Sequence, residues 1–275
     1  MITRADEHPP LPPEFEMQRF ATVTAQKAGD ILLSHFERIK SVTSKDGAGN
    51  IKTEADQASE DFITSEIHKL YPNHSIVGEE GTLQISEDSP YTWSVDPLDG
   101  TLPFASGLPA WSVSIGLLKD QQPIMGVVHF PLSSFGQEET YTAIKGQGAF
   151  VNGKRLQVSS ESKLSNALVG FDYGYHNRVK RIQEVLLKVA PEVRYTLTEA
   201  CATRLLADLA AGKLGGYLHS GLEHWDIAAI TTIITEAGGE VTDLKGKPIV
   251  WEDGKQFDFL ATNGKLHGAL LKLVS

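Results

Sequence analysis

The segment Trp93-Ser-Val-Asp-Pro-Leu-Asp-Gly-Thr101 restricts the possible folds of this chain more than any other. Tyr91 to Val95 reads as a strand, and Pro97 has no N–H to donate to a ladder, so regular pairing stops there. Gly100 permits a tight bend, and Thr101 brings a hydroxyl. The strand therefore ends in two carboxylates, Asp96 and Asp99, on either side of the Leu98 carbonyl. Such an oxygen-rich cage is what a hard cation such as Mg²⁺ takes. An Asx-type turn uses the same residue types but needs only one of the acids. A covalent aspartyl-phosphate route, Asp-x-Asp followed by Gly-Thr, fits in neither register: the partner acid falls on Pro97 or on Leu98. Metal-activated water is the chemistry that remains.

The surrounding pattern is mixed. Glu14 to Ile39 has the apolar spacing of a helix, and so has Thr53 to Leu70, which Tyr71-Pro72 stops. Between them, Ser44 to Asn50 is turn chemistry, expected as a mobile surface loop. Alternating segments Ser112–Leu118, Ile124–Phe130 and Thr140–Ile144 predict antiparallel sheet, and Asn152-Gly153 suits a type I′ hairpin. Further on, helices are expected over 177–189, 200–211, 226–237 and 266–273, and strands over 193–197, 216–219 and 257–261. Gly238-Gly239 closes the third of these helices. The fold class is layered α/β (α+β). Residues 1–13, rich in proline, are expected as a flexible tail. Residues 14–275 are expected to form one domain with subregions of about 14–160 and 161–275.

Composition removes several function classes. With 35 acidic against 25 basic residues the net charge is −10, which argues against a nucleic-acid binder. No apolar run reaches the roughly 18 residues of a membrane span, and Met1 to Pro13 lacks the apolar core of a secretory signal. The single cysteine, Cys201, cannot form an internal disulfide. A cytoplasmic protein is the expectation.

The motifs together resemble the inositol monophosphatase family, part of a wider group of Mg²⁺-dependent phosphatases that includes fructose-1,6-bisphosphatases. The resemblance rests on Asp96 to Thr101, on Gly78-Glu79-Glu80, and on Trp225-Asp226-Ile227-Ala228-Ala229 with its helix ending Glu236-Ala-Gly-Gly239. Lys45, Thr53-Glu-Ala-Asp56 and the hairpin Gly146 to Gly153 add to it. It implies an αβαβα layered sandwich, a homodimer, sensitivity to Li⁺ and two or three Mg²⁺ ions per subunit. Glu79, Asp96, Asp99 and the Leu98 carbonyl would hold the first ions, and Asp226 would complete the second site. Metals held in this way lower the pKa of an attacking water. Glu79, with Thr101 paired to Asp56, would position or deprotonate that water. The N–H groups of Gly100 and Thr101 would receive the phosphate, with Lys45 nearby.

Local readings stand beside these roles. Asp56, three residues after Thr53, also makes a capping box. Asp226 suits a helix N-terminus, Cys201 a packed helix, and Lys45 a solvated loop. Departures from the family pattern concern the substrate. His219 stands where inositol-type members carry a Glu, Ala200-Cys201-Ala202 replaces Gly-(Ser/Thr)-Ala, and Leu102-Pro103 follows Thr101. Arg204 and Tyr173 are further candidate substrate contacts. The expected activity is hydrolysis of inositol monophosphate or a related sugar phosphate without a covalent phosphoenzyme. Fructose bisphosphate, histidinol phosphate and, last, a 3′-phosphonucleotide are the alternatives. A catalytically inactive metal- or partner-binding relative is the non-enzyme alternative.

Overall fold

The computed structural model describes residues 12–36, 38, 42–45, 51–133, 136–251 and 255–274. Helix α1 (Pro13–His35) precedes a hairpin of β1 (Val42–Ser44) and β2 (Ile51–Thr53), which leads into α2 (Glu54–Leu70). Strands β3 (Ser75–Gly78), β4 (Leu83–Gln84) and β5 (Tyr91–Asp99) follow, then the short helix α3 (Thr101–Ala105). Next come β6 (Ser112–Lys119), β7 (Gln122–Phe130), β8 (Glu139–Ile144), β9 (Gly148–Val151) and β10 (Lys154–Arg155). These form an eight-stranded sheet of order β10-β9-β8-β7-β6-β5-β3-β4. Among its described strands only β3 and β5 pair in parallel.

The second half opens with β11 (Leu168–Asp172). Helix α4 (Arg178–Arg181) runs through a π-turn at Ile182–Leu186 into α5 (Leu187–Val189). Then follow β12 (Tyr195–Leu197), α6 (Ala202–Ala210), β13 (Gly216–Leu222), α7 (His224–Glu236), β14 (Glu240–Thr242), β15 (Phe257–Thr262) and α8 (His267–Val274). The five-stranded sheet has the order β12-β11-β13-β15-β14.

Three apolar layers hold the sheets and helices together. Ala21, Ala25, Ala28 and Leu32 of α1, with Ile63 and Ile67 of α2, bury Val113, Ile115 and Leu117 of β6 and Trp93 and Val95 of β5. The opposite face of this sheet meets α6 and α7, whose Leu205, Leu209, Ile227, Ile230 and Ile234 also pack on Tyr217 and Phe259 of the second sheet. The outer face of the second sheet, with Val169, Phe171, Leu218 and Leu260, is covered by Val185, Val189, Leu266 and Leu270. The period-2 alternation of the strands thus gives each sheet two buried faces, and the stack is the expected αβαβα sandwich.

One contact sets the position of α7. Gly116 and Gly126 are cross-strand neighbours. A Cβ on Gly126 would lie 2.1 Å from the Ala229 carbonyl oxygen, and one on Gly116 would lie 2.9 Å from the Ala228 Cβ. The helix therefore rests directly on the strand backbones, with Asp226 in its first turn.

Several elements differ from the sequence expectation. Helix α1 ends at His35 rather than Ile39. The helix expected from Ala200 begins at Ala202, because Ala200 has φ +52° and Cys201 is extended. Strands β3, β11 and β14 were not expected. Residues 1–11 of the proposed tail and 46–50 of the proposed loop lie outside the described residues, and α1 already begins at Pro13.

Candidate active site

Parallel pairing of β3 with β5 brings their C-terminal ends side by side, and the Glu79 N–H donates to the Val95 carbonyl at 3.1 Å. The ladder between β5 and β6 shifts register between Asp96 and Asp99, so the bulge turns this stretch away from regular pairing. Asp96 Oδ1 accepts from the Leu98 N–H at 2.9 Å. Gly100 is obligatory: its φ is +89°, and a Cβ there would meet the Ala110 carbonyl oxygen at 2.4 Å.

Helix α2 supports this loop from below. Ser59 Oγ donates to the Pro97 carbonyl at 3.0 Å. Buried Glu60 accepts from the N–H groups of Glu80 (2.7 Å) and Thr82 (2.9 Å), which fixes the turn that carries Glu79. Asp56 makes both the capping contact and the Thr101 contact that the sequence suggested. Its Oδ2 closes a capping box with Thr53, and its Oδ1 lies 3.0 Å from Thr101 Oγ1, itself 3.2 Å from the Leu98 carbonyl.

Asp226 enters from α7, its Oδ2 accepting from the Glu223 N–H at 2.7 Å. Asp99 is tied to α6, where its Oδ2 accepts from the N–H (2.6 Å) and the hydroxyl of Thr203. Glu79, Asp96, Asp99 and Asp226 line a cavity of about 430 Å³, together with Lys45, Leu98, Gly100, Thr101, Asp172, Tyr173, Tyr175, Arg181, Cys201 and His219.

Burial dominates the electrostatics. It pushes Glu79 up to about 7, partly opposed by Lys45 and reinforced by Glu80. Burial, then the charges of Glu79, Asp99 and Asp226, holds Asp96 well above the usual carboxylate range. Asp226 is raised by burial and by Glu79 and Asp99, and Asp99 by burial against the bonds from Thr203. Asp96 and Asp226, both raised by the charges of Glu79 and Asp99, stand in a site short of positive charge. Lys45 supplies some: its Nζ lies 3.0 Å from Glu79 and 2.6 Å from Glu80, whose other oxygen is 2.8 Å from Lys52.

The donor set fits a hard divalent cation, being all oxygen and largely anionic, at the inner end of the cavity. Among the described residues no three His, Cys, Asp or Glu side chains are already gathered around a single point that could hold an ion. Each of the four acids is turned in part to a partner within the protein, as the distances above show.

Of the residues singled out in the sequence, Lys45, Glu79, Asp96, Leu98, Asp99, Gly100, Thr101, His219 and Asp226 line the cavity, as does Tyr173. Asp56 reaches it through Thr101. Arg204 is corrected. It does not line the cavity; its guanidinium pairs with Glu139 (2.8 Å) and Asp208 (2.7 Å) and lies 4.2 Å from the Phe130 ring centroid. Cys201 is no ordinary helix residue: it precedes α6 and places Sγ 3.4 Å from Asp99 Oδ2. Sequence reasoning missed Ser59, Glu60, Asp172, Tyr175, Arg181 and Thr203. Of these only Thr203 carried a signal, as a hydroxyl residue next to the expected start of a helix.

Solved structures with this architecture include extragenic suppressor protein suhB from Bartonella henselae (TM-score 0.87, 29% identity, 94% of this chain and 98% of that one). IMPase of Thermotoga maritima superposes with a TM-score of 0.83 at 31% identity, over 94% of this chain and 96% of that one. By sequence, inositol monophosphatase 2 of Rattus norvegicus is 38% identical over 83% of this chain and 80% of its own length. A Thermotoga maritima protein named fructose-1,6-bisphosphatase/inositol-1-monophosphatase is 33% identical over 93% and 94%. A sandwich of this kind with these relatives defines a phosphatase, a phosphoric monoester hydrolase. The profile of the inositol monophosphatase family matches residues 15–275, and the chain belongs to that family. Mg²⁺ dependence and Li⁺ sensitivity are typical of its members.

Proposed function

We propose that the chain hydrolyses a small phosphate monoester, inositol monophosphate or a related sugar phosphate, at the acidic end of the cavity. The observation that carries this reading is the meeting there of four carboxylates, Asp96 buried and Glu79, Asp99 and Asp226 half-buried, from the end of β3, from β5 and from α7. Glu79, Asp96, Asp99 and the Leu98 carbonyl would hold the first Mg²⁺ ions and Asp226 would complete the set, two or three ions per subunit. When bound, Mg²⁺ supplies Lewis acidity, offsetting charge on the phosphoryl oxygens and making water acidic enough to attack near neutral pH.

The chain's own residues do the rest. Glu79, at the edge of the acid cluster and facing the cavity, would accept the proton of the attacking water. Asp56 orients the Thr101 hydroxyl towards that water by accepting its hydrogen. The N–H groups of Gly100 and Thr101 receive phosphate oxygens, Lys45 offsets their charge, and His219 lies where the leaving group would sit. No described residue offers a covalent carboxylate in the Asp-x-Asp register.

Residues 14–275 act in this reading as one catalytic unit, as a homodimer in the cytoplasm. No helix among the described residues is long and apolar enough to cross a membrane. A bisphosphatase reading draws on the Thermotoga maritima relative's name. An inactive binding protein would have no need of the complete acid set. Asp99→Asn tests the proposal: Mg²⁺-dependent phosphate release should fall at least about 100-fold with circular dichroism unchanged. Full activity in that variant would overturn it.

A further inference from the structure

We propose that a second cavity, beside the C-terminal half of α7, is a binding site for one small neutral polyol, a six-membered ring bearing hydroxyls. The site is separate from the acidic cavity, since the two share no lining residue. It goes beyond the phosphatase reading and does not depend on it.

The cavity follows from how α7 sits on the large sheet. Gly126 lets the backbone of β7 touch Ala229. Nearer its start β7 bulges, for Leu117 pairs with Met125 but Leu118 pairs with Pro123. A bulge increases the local twist, so one turn beyond Ala229 the strand no longer follows the helix. A space of about 210 Å³ opens there, lined by Thr231 and Thr232 of α7 and by apolar Pro123, Val241, Ile249 and Trp251. Trp251 is itself buried and held on two sides, with ring centroids 5.7 Å from His224 and 5.8 Å from Phe257. That wall is preformed.

Two hydroxyls of this lining point to a ligand. A threonine within a helix can bond back to the carbonyl four residues before it, as Thr22, Thr64 and Thr235 do at 2.8, 2.7 and 2.8 Å. Thr231 and Thr232 do not. Both hydroxyl oxygens are buried with no hydrogen-bond partner among the described residues, and Thr232 is only 5% exposed. An unpaired buried hydroxyl costs stability that a ligand's own polar group restores. A hydroxyl both donates and accepts, and another hydroxyl matches it in both roles. Charge in the lining is balanced and held outside the interior. Glu236 accepts from the N–H groups of Gly146 and Gly148, each at 2.7 Å, and Lys145 is exposed. The ligand that fits is therefore neutral. Its size follows from the volume: a cavity of about 150 Å³ takes up a benzene ring, so about 210 Å³ takes a six-membered ring with hydroxyls added. The ring's C–H groups lie on the apolar wall, and its hydroxyls meet Thr231 and Thr232.

The test is calorimetric titration of myo-inositol into the full chain with Mg²⁺ present, expected to give a Kd of about 1 mM or tighter. Glucuronate and glucosamine, charged rings of the same size, should bind at least about tenfold more weakly, because their charge would be buried unpaired. The double variant Thr231→Val, Thr232→Val removes both hydroxyls and keeps their shape, and should weaken myo-inositol at least about tenfold. With no partner lost inside the protein, its ligand-free Tm should equal or exceed the native value. Asp99→Asn should bind myo-inositol as the native chain does. No binding, equal binding of the charged rings, or an unchanged Kd in the double variant overturns the site. A lower Tm in that variant would mean that the hydroxyls are already paired, and loss of binding in Asp99→Asn would put the ligand in the acidic cavity; either result also overturns it. Phosphate release plays no part in these readouts, so failure here leaves the phosphatase reading untouched.

Discussion

Replacing Gly126 with alanine should disable the enzyme from a position that touches no substrate. The new Cβ would lie 2.1 Å from the Ala229 carbonyl oxygen, in the middle of α7. An ordinary carbon–oxygen contact is about 3.3 Å, so the helix must retreat by about 1.2 Å or the strand must bend away. Asp226 stands one turn before Ala229 on the same helix and moves with it. A displacement of about 1 Å in a catalytic group can cost about 100-fold in rate, and overpacking of a buried contact costs about 1–3 kcal/mol. For a chain of this size that is a fall in Tm of roughly 3–10 °C. The assay is Mg²⁺-dependent phosphate release with a thermal melt on the same sample. Gly268→Ala is the control, since its Cβ meets nothing within 4 Å and its φ is not positive; both readouts should stay near the native values. Activity within threefold of native and an unchanged Tm in Gly126→Ala would refute the idea that helix-on-backbone packing sets Asp226.

Two further outcomes follow from buried acids. Glu60→Gln keeps one acceptor but leaves the N–H of Glu80 or Thr82 without a partner, at a cost of about 1.5–3 kcal/mol; kcat should fall with KM little changed, and an unaltered kcat would show that this turn does not need Glu60. The second concerns pH. Burial raises Glu79 from 4.5 to about 7, with Asp96 and Asp226 raised in the same direction. The native state then holds protons that the unfolded chain releases, so stability falls as pH rises from about 4.5 through 7. On the proposed ligand set Mg²⁺ would replace those protons, and the gap in Tm between Mg²⁺ and EDTA samples should widen from pH 5 to 8; a constant or narrowing gap would contradict the assignment.

The acidic end of the site was legible because each of its parts is encoded within a few residues. Pro97 stops a strand, Gly100 permits φ +89°, and Asp96 and Asp99 lie on either side of a bulge that their own spacing produces. Asp226 is three residues from its cap, and Asp56 three from Thr53, so local chemistry carried both into place. Glu60 was not legible, because in Ser59-Glu60-Asp61 it looks like any solvated helix acid. Its burial comes from a turn 20 residues later. Strand β11 is short, and its Gly170 exists for the close approach of Tyr217, whose ring a Cβ there would meet at 2.7 Å, so its strand pattern is interrupted where the packing is tightest. Arg181 lies in Arg178-Val-Lys-Arg181, which reads as a charged surface run until Gly174 and Gly221 are folded on either side of it. The two ends of the cavity therefore differ in how they are written. The proposed metal ligands sit at strand ends and caps, which short motifs specify, so the reaction class can be read from one sequence. The outer wall of the cavity is assembled from β11, α4 and β13, with strands β11 and β13 paired across more than 40 residues, and no short motif writes it, so the sequence says least about that part of the cavity.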